Sequence, residues 1–245
     1  MIFSRKKNKY KNFSYSQSGE DLIVQFIFKA IGKTDITYLD IGAYHPYSLS
    51  NTALFYENGC SGINIEPDPD QFKEFIKFRS RDINLNLGIA EKAGETVFYK
   101  MSHPAMSTFS KEVAQELIDK YNYKLLSENR VRVETINNII KLYNKNIFPD
   151  FLSVDAEGLD EKIIGFLNFK ENFPMVICLE TISYSETGHG IKNEQLINNI
   201  IDQGYIQFKN GIPGISFLFR KKKCRCIAIK YFKIEFFNFC KFLLC

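Results

Sequence analysis

The chain has 245 residues, of which 45% are hydrophobic and 24% are charged. This size and balance are typical of one soluble α/β domain with a sizeable core. The formal net charge of +4 is mild, and much of the basic excess lies at the two ends. That distribution disfavours nucleic acid as a partner, because nucleic-acid-binding proteins carry a basic patch on the folded body. The six cysteines match no zinc-ligand spacing, and the basic N-terminal segment lacks the apolar stretch of a signal peptide. We therefore expect a cytoplasmic protein with reduced thiols.

Periodic apolar residues predict helices and strands that alternate along the chain. Helices are expected at 16–31, 50–58, 68–78, 111–121, 136–143, 159–167 and 193–203. Strands are expected at 36–41, 62–65, 83–90, 94–101, 130–135, 151–154 and 175–179, with a closing antiparallel pair at 205–209 and 215–220. This order predicts a Rossmann-like α/β fold, with a mostly parallel seven-stranded sheet and helices on both faces.

The composition divides the chain into three parts. Residues 1–13 form a basic N-terminal arm, residues 14–223 form the folded domain, and residues 224–245 form a basic, Phe-rich C-terminal segment. Charged residues interrupt this last segment too often for it to span a bilayer. It is expected either to lie on the inner face of a membrane as a peripheral contact, or to pack as a helix or a subunit contact. The sequence does not indicate the oligomeric state.

Two predicted strands end in acidic residues and indicate a ligand site. The first strand runs into Asp40 and Gly42, and the second ends at Glu66. In a parallel α/β sheet the carboxyl ends of the strands form a ligand crevice, and an acid at the end of the second strand can accept the hydroxyls of a ribose. Gly42 lets the backbone turn tightly and approach a ligand closely. The pattern predicts a cofactor that contains a nucleoside.

The loop after the first strand indicates which cofactor. A dinucleotide needs several glycines, so that its pyrophosphate can lie against bare backbone at a helix N-terminus. Gly42 is the only glycine between Asp40 and Gly59, and His45, Pro46 and Tyr47 are bulky. S-adenosyl-L-methionine contains no phosphate and suits acidic and carbonyl groups better. We therefore favour S-adenosylmethionine over NAD(P) or FAD.

These features together resemble the FkbM family of S-adenosylmethionine-dependent methyltransferases. The resemblance covers residues 14–219 and implies the class I methyltransferase fold. It also implies O-methylation, commonly of sugar hydroxyls or natural-product scaffolds. Ser153 stands where many members of the family have lysine, so no lysine is assigned a role there. The matching motifs are at 16–21, 39–46, 50–56, 59–69, 86–89, 107–109 and 151–158.

The predicted cofactor contacts lie at the ends of the first three strands. Asp40 is expected near the methionine amino group and Glu66 on the ribose. Asn51 is expected either to cap the following helix or to reach the cofactor carboxylate. The remaining predicted cofactor-binding residues are Gly42, Ala43, Pro67, Asn86 and Gly88.

The predicted catalytic residues follow the fourth strand of the parallel series. A sugar hydroxyl is a poor acid, so the reaction needs a base. Asp155 and Glu157 are the candidates, and His45 is the alternative. Glu180, at the end of the next strand, is expected to orient the acceptor, and His103 lies in a loop expected to cover it. Asp155, Glu157 and Glu180 could together hold Mg²⁺, but we predict no metal.

Two other interpretations remain open from the sequence. Asp68 and Asp70 form a D-x-D motif after an apolar strand, which is typical of glycosyltransferases that bind Mn²⁺ and a nucleotide sugar. The same acids also suit the first turn of a helix. The second interpretation is a membrane-associated binding protein without catalysis, whose Phe-rich C-terminal segment docks on lipid or on a partner.

Overall fold

A seven-stranded, mostly parallel sheet forms the centre of the computed structural model, which describes residues 13–156, 158–181, 193–208 and 215–220. Its strands are β1 (Thr37–Ile41), β2 (Ser61–Ile65), β3 (Ile83–Leu85), β7 (Phe151–Val154), β8 (Val176–Glu180), β9 (Tyr205–Phe208) and β10 (Ile215–Arg220). They lie in the order β3-β2-β1-β7-β8-β10-β9. Strand β10 runs antiparallel to both β8 and β9. The predicted Rossmann-like fold, with its antiparallel closing strand, is confirmed.

Helices cover both faces of this sheet because side chains alternate along each strand. On one face, Leu39 and Leu152 belong to a core cluster that includes residues of α5, α6 and α7. On the other face, Tyr38 and Phe151 pack in a cluster with α1 and α2. The helices are α1 (Glu20–Ala30), α2 (Ala53–Glu57), α3 (Pro69–Phe78), α4 (Lys111–Tyr121), α5 (Ile136–Tyr143), α6 (Asp160–Gly165) and α7 (Glu194–Asp202).

A second, three-stranded sheet differs from the prediction. It contains β4 (Gly88–Ile89), β5 (Gly94–Met101) and β6 (Leu125–Glu134) in the order β4-β6-β5. The predicted strand at 83–90 is therefore wrong as a single strand. It divides because the Asn86 side-chain amide donates to the main-chain oxygens of Glu66 and Pro67, at 2.9 and 3.0 Å. After this anchor the chain leaves β2 and pairs with β6.

The two ends of the chain fall outside the described residues. These are residues 1–12 of the predicted basic arm and all of the C-terminal segment 224–245. Within the described part, no helix is both long and apolar enough to cross a membrane. The domain boundaries and the membrane contact stay predictions.

Candidate active site

The carboxyl ends of β1 and β7 lie side by side at the point where the strand order of the sheet reverses. Strand β1 pairs with β2 on one side and with β7 on the other. The Asp155 N–H donates to the Ile41 carbonyl at 3.0 Å. Gly42 has φ +73°, and a Cβ there would lie 1.8 Å from the Asp155 carbonyl oxygen. A side chain at this position would force the two strand ends apart, so glycine keeps the crevice closed at its base.

Glu66, the predicted ribose ligand, lies buried at the end of β2. One carboxylate oxygen accepts the Tyr44 N–H and the other accepts the Asp68 N–H, both at 2.7 Å. Tyr44 has φ +55°, an uncommon conformation for a non-glycine residue, and it aims this N–H at the carboxylate. Burial raises the pKa of Glu66 to about 8, although the two backbone hydrogen bonds oppose the shift. The carboxylate keeps acceptor capacity for ligand hydroxyls.

A first cavity opens beside Glu66 and has mostly apolar walls. Phe109 and Phe98 stack at a ring-centroid distance of 4.9 Å and form the wall contributed by the small sheet and the loop after it. A Cβ on Gly88 would lie 2.4 Å from the Phe109 ring, so glycine here makes room for the aromatic wall. The other apolar lining residues are Ile41, Ile65, Pro67, Ile89, Pro104, Ala105, Ala156, Leu159 and Ile163.

A second cavity adjoins the first and is more polar. Its lining includes the side chains of Glu20 and His103. It shares Gly42, Tyr44, Ala105 and Asp155 with the first cavity. The two cavities therefore meet beside Asp155. The other polar residues of the second cavity are Gln17, Asn51 and Tyr123.

Asp155 has an unusual electrostatic environment. Solvent reaches it through the crevice, while protein surrounds its other sides. Desolvation by the protein on those sides, followed by the charges of Glu180 and Asp160, raises its pKa well above the usual range. Burial and Asp160 likewise raise the pKa of Glu180 to about 7. A carboxylate with a raised pKa is a stronger base when ionised, which suits proton abstraction near neutral pH.

Asp40 and Asn51 take part in a buried chain of polar contacts. The Thr52 hydroxyl donates to Asp40 at 2.7 Å, and Asn51 Nδ2 donates to the Ser153 hydroxyl at 3.2 Å. Ser153 also hydrogen-bonds to Asp40. Asn51 lines the second cavity. Asp40 is not among the described lining residues of either cavity. A direct cofactor contact by Asp40 stays a prediction, and the structure places this residue beneath the crevice.

The other predicted cofactor residues lie around the ends of β2 and β3. The Ala43 N–H donates to the Ile65 carbonyl at 3.1 Å, which fixes the loop after β1. Pro67 and Gly88 line the first cavity. Asn86 anchors the backbone of Glu66 and Pro67 and therefore acts on the cavity through them.

The structure places the two predicted histidines, His45 and His103, in different surroundings. His45 Nδ1 accepts the N–H groups of Tyr47 and Ser48, at 3.1 and 2.9 Å, so this nitrogen stabilises the loop. His45 is not among the described lining residues of either cavity. Its role as a base stays a prediction that this geometry does not favour. His103 lines the second cavity, and its contact with a substrate stays a prediction. Glu157 lies outside the described residues.

The D-x-D motif has a structural role. Asp68 caps α3 by accepting the Asp70 N–H at 2.9 Å. Lys100, on β5, makes ion pairs with Asp68 and Asp70 at 3.0 and 2.8 Å. Because the two acids bind a helix terminus and a lysine, the structure does not support the glycosyltransferase interpretation.

The first cavity fits S-adenosylmethionine. Glu66 offers a buried carboxylate for ribose hydroxyls, and Ile89 and Phe109 offer flat apolar contacts for an adenine. The loop after β1 has one glycine where a pyrophosphate would need several. The fold and the site together define a class I, S-adenosylmethionine-dependent methyltransferase.

A family model described as the Methyltransferase FkbM domain matches residues 40–206. The chain belongs to this family, and the predicted resemblance is confirmed. The protein is therefore an S-adenosylmethionine-dependent methyltransferase, which excludes the interpretation as a binding protein without catalysis. Among curated protein sequences, none matches the chain.

Solved structures of similar fold are distant in sequence. One is a methyltransferase from Podospora anserina bound to S-adenosylhomocysteine, at 11% identity and a TM-score of 0.44, covering 80% of this chain and 76% of that one. Another is an O-methyltransferase from Bacillus cereus, also with S-adenosylhomocysteine, at 14% identity and a TM-score of 0.37, covering 86% and 84%. A third is an N1-methyltransferase from Burkholderia thailandensis, at 8% identity and a TM-score of 0.39, covering 83% and 77%.

Proposed function

We propose that the protein transfers the methyl group of S-adenosylmethionine to a hydroxyl, on a sugar of a surface glycan or its precursor. The observation that carries this proposal is the position of Asp155 at the junction of the two cavities. A methyltransferase needs one pocket for its cofactor and another for its acceptor, with a base where they meet.

The first cavity is assigned to the cofactor. Glu66 accepts the ribose hydroxyls, while Ile89 and Phe109 contact the adenine. Gly42 and Ala43 hold the loop that closes the cavity beside the junction. When bound, S-adenosylmethionine supplies an electrophilic methyl group on a sulfonium that leaves readily. The chain therefore has to orient the acceptor and remove its proton.

The second cavity is assigned to the acceptor. Its polar side chains, Asn51, His103 and Tyr123, suit a molecule that carries several hydroxyl groups. Asp155 accepts the proton of the hydroxyl that becomes methylated. Glu180, expected from the sequence to orient the acceptor, is not among the described lining residues of either cavity. We assign it an effect on the base through its charge, which helps to raise the pKa of Asp155.

The cellular site belongs to the same proposal. A glycan precursor is assembled on the cytoplasmic side of a membrane, so we place the enzyme in the cytoplasm at the inner face. The basic, Phe-rich segment 224–245 would supply the peripheral contact.

Asp155→Asn tests the assignment of the base. An asparagine keeps the shape of the side chain but cannot take up the proton, so kcat should fall by roughly 10²- to 10⁴-fold. Binding of S-adenosylhomocysteine, measured by calorimetry, should persist. Asp119→Asn, on the exposed face of α4, is the matched control and should keep full activity. If Asp155→Asn retains activity close to that of the wild type, Asp155 is not the base.

A further inference from the structure

Glu20 is a buried acid that the cofactor assignment leaves unused. It begins α1, is only 2% exposed, and lines the second cavity. Its Oε2 accepts the Ser18 N–H at 2.7 Å. Within the described part of the chain, its other oxygen has no hydrogen-bond partner. This oxygen is not one of the buried atoms left without a partner, so it is open to the cavity that Glu20 lines, where it can accept a hydrogen bond from a ligand.

The segment before α1 is built to hold Glu20 at the cavity. The neighbouring Asp21 accepts hydrogen bonds from the Ser14 and Ser16 hydroxyls, at 2.7 and 2.9 Å, and from the Tyr15 N–H at 2.7 Å. The Ser50 N–H donates to the Tyr15 carbonyl and ties the segment to the loop that follows β1. This network orders the start of α1, so Glu20 reaches the cavity from a rigid position.

Among the described residues that line the second cavity, carboxylates and lysine or arginine side chains are unequally represented. Its described lining contains two carboxylates, Glu20 and Asp155, and neither lysine nor arginine. Asp40 and Glu20 also contribute, after burial and the nearer acids, to the raised pKa of Asp155. Like charges repel strongly where water is partly excluded. An acceptor with an anionic group beside the methylated hydroxyl would therefore bind poorly.

We propose that Glu20 binds a second hydroxyl of the acceptor, and that the second cavity selects neutral sugars over sugars bearing a carboxylate or a phosphate. This inference rests on the proposed function, because it assumes that the second cavity holds the acceptor. It gives the motif at 16–21 a role: Asp21 orders the turn, and Glu20 contacts the substrate.

The test compares matched neutral and anionic acceptors. Nitrophenyl glycosides of glucose, galactose and mannose are paired with the corresponding uronates, and transfer of a labelled methyl group is measured. The wild type should methylate at least one hexoside, with kcat/KM about tenfold or more above that of its uronate. Glu20→Gln should raise KM for the hexoside about tenfold, because a charge-assisted hydrogen bond is lost. Its affinity for S-adenosylhomocysteine should not change.

A second variant avoids the buried site. Gln17 is exposed and lines the same cavity, so Gln17→Lys adds a positive charge without disturbing the core. It should raise kcat/KM for the uronate relative to the hexoside. Glu116→Gln, on the exposed face of α4, is the control and should change neither value.

The outcomes separate this inference from the proposed function. If hexosides are methylated, uronates used equally well or an unchanged KM in Glu20→Gln would overturn the inference alone. No methylation of any hexoside by the wild type would overturn the proposed function, and the inference with it.

Discussion

At the scale of single residues, the charges around Asp155, the base that we propose, are expected to set the pH at which the enzyme works. Burial and the carboxylates of Glu180 and Asp160 raise the pKa of Asp155. The pKa of Glu180 is itself raised to about 7. A carboxylate can act as a base only when it is ionised. A raised pKa keeps the carboxyl group protonated up to a higher pH. As the pH falls, activity should therefore be lost at a higher pH than the ordinary pKa of an aspartate.

The pH profile of kcat tests this account. We expect the acid limb of the wild type to lie above the usual range of an aspartate, and to shift to lower pH in Glu180→Gln, because one charge that raises the pKa of Asp155 is gone. Glu161→Gln, a change on the first turn of α6, should leave the limb in place. An acid limb near pH 4, or one that does not move in Glu180→Gln, would contradict this role of the acidic cluster.

The sequence identified part of this site because some residues adjoin the ends of strands. Glu66, Gly42 and Asp155 directly follow or end apolar runs, so their meeting at one edge of the sheet could be predicted. Phe109 and Glu20 could not be placed in the same way. The first comes from the loop after β5 and the second from the start of α1, and only the tertiary fold brings them to the cavities.

At the scale of elements, Lys100 joins the small sheet to the start of α3. Its ammonium group lies 3.0 Å from Asp68 and 2.8 Å from Asp70. The Asp68 N–H in turn donates to Glu66. The ion pairs therefore hold the wall that carries Phe98 close to the predicted ribose ligand.

Lys100→Met should weaken the binding of S-adenosylhomocysteine by about fivefold, in keeping with the loss of a partly exposed ion pair. The value of kcat at saturating cofactor should stay the same, because the lysine does not reach the junction with the acceptor. Calorimetry and steady-state kinetics measure the two effects. Lys120→Met removes a surface ion pair with Glu116 on α4 and serves as the control. An equal loss of affinity in both variants would show that the ion pair between Lys100 and Asp68 does not contribute to cofactor binding.

Elements with strong periodicity could be predicted from the sequence, and those without it could not. Helix α5 and strand β7 coincide with their predicted ranges, since apolar residues recur regularly in the helix and fill the buried strand. Strand β6 is ten residues long, but only 130–135 was predicted. Its first eight residues are exposed or half-buried, so they lack the apolar alternation that marks a strand.

At the scale of the whole molecule, a buried arginine ties the site to the scaffold. Arg79 follows α3 and is fully buried. Its guanidinium donates to Asp82 at 2.8 Å and to Tyr38 at 3.0 Å. It also donates to the Pro46 carbonyl in the loop after β1, at 2.9 Å. One side chain thus connects α3, β1 and the loop that closes the cofactor cavity.

Arg79→Met should destabilise the fold by about 3–5 kcal/mol, because it leaves Asp82 buried without its cation. The free energy of unfolding in urea measures the effect. Arg132→Met, at an arginine whose side chain is 66% exposed, is the control and should cost about 1 kcal/mol or less. Similar losses in the two variants would mean that the buried network adds little to stability.

The central claim is that the carboxylate at the end of β2 holds the cofactor. Calorimetric titration of S-adenosylhomocysteine into the wild type and into Glu66→Ala tests it most directly. The account predicts saturable binding to the wild type, and binding weakened by about 10- to 100-fold or lost in Glu66→Ala, because the carboxyl group proposed to accept the ribose hydroxyls is removed and those hydroxyls lose their partner. Equal affinities in two folded proteins, or no binding to the folded wild type, would contradict it.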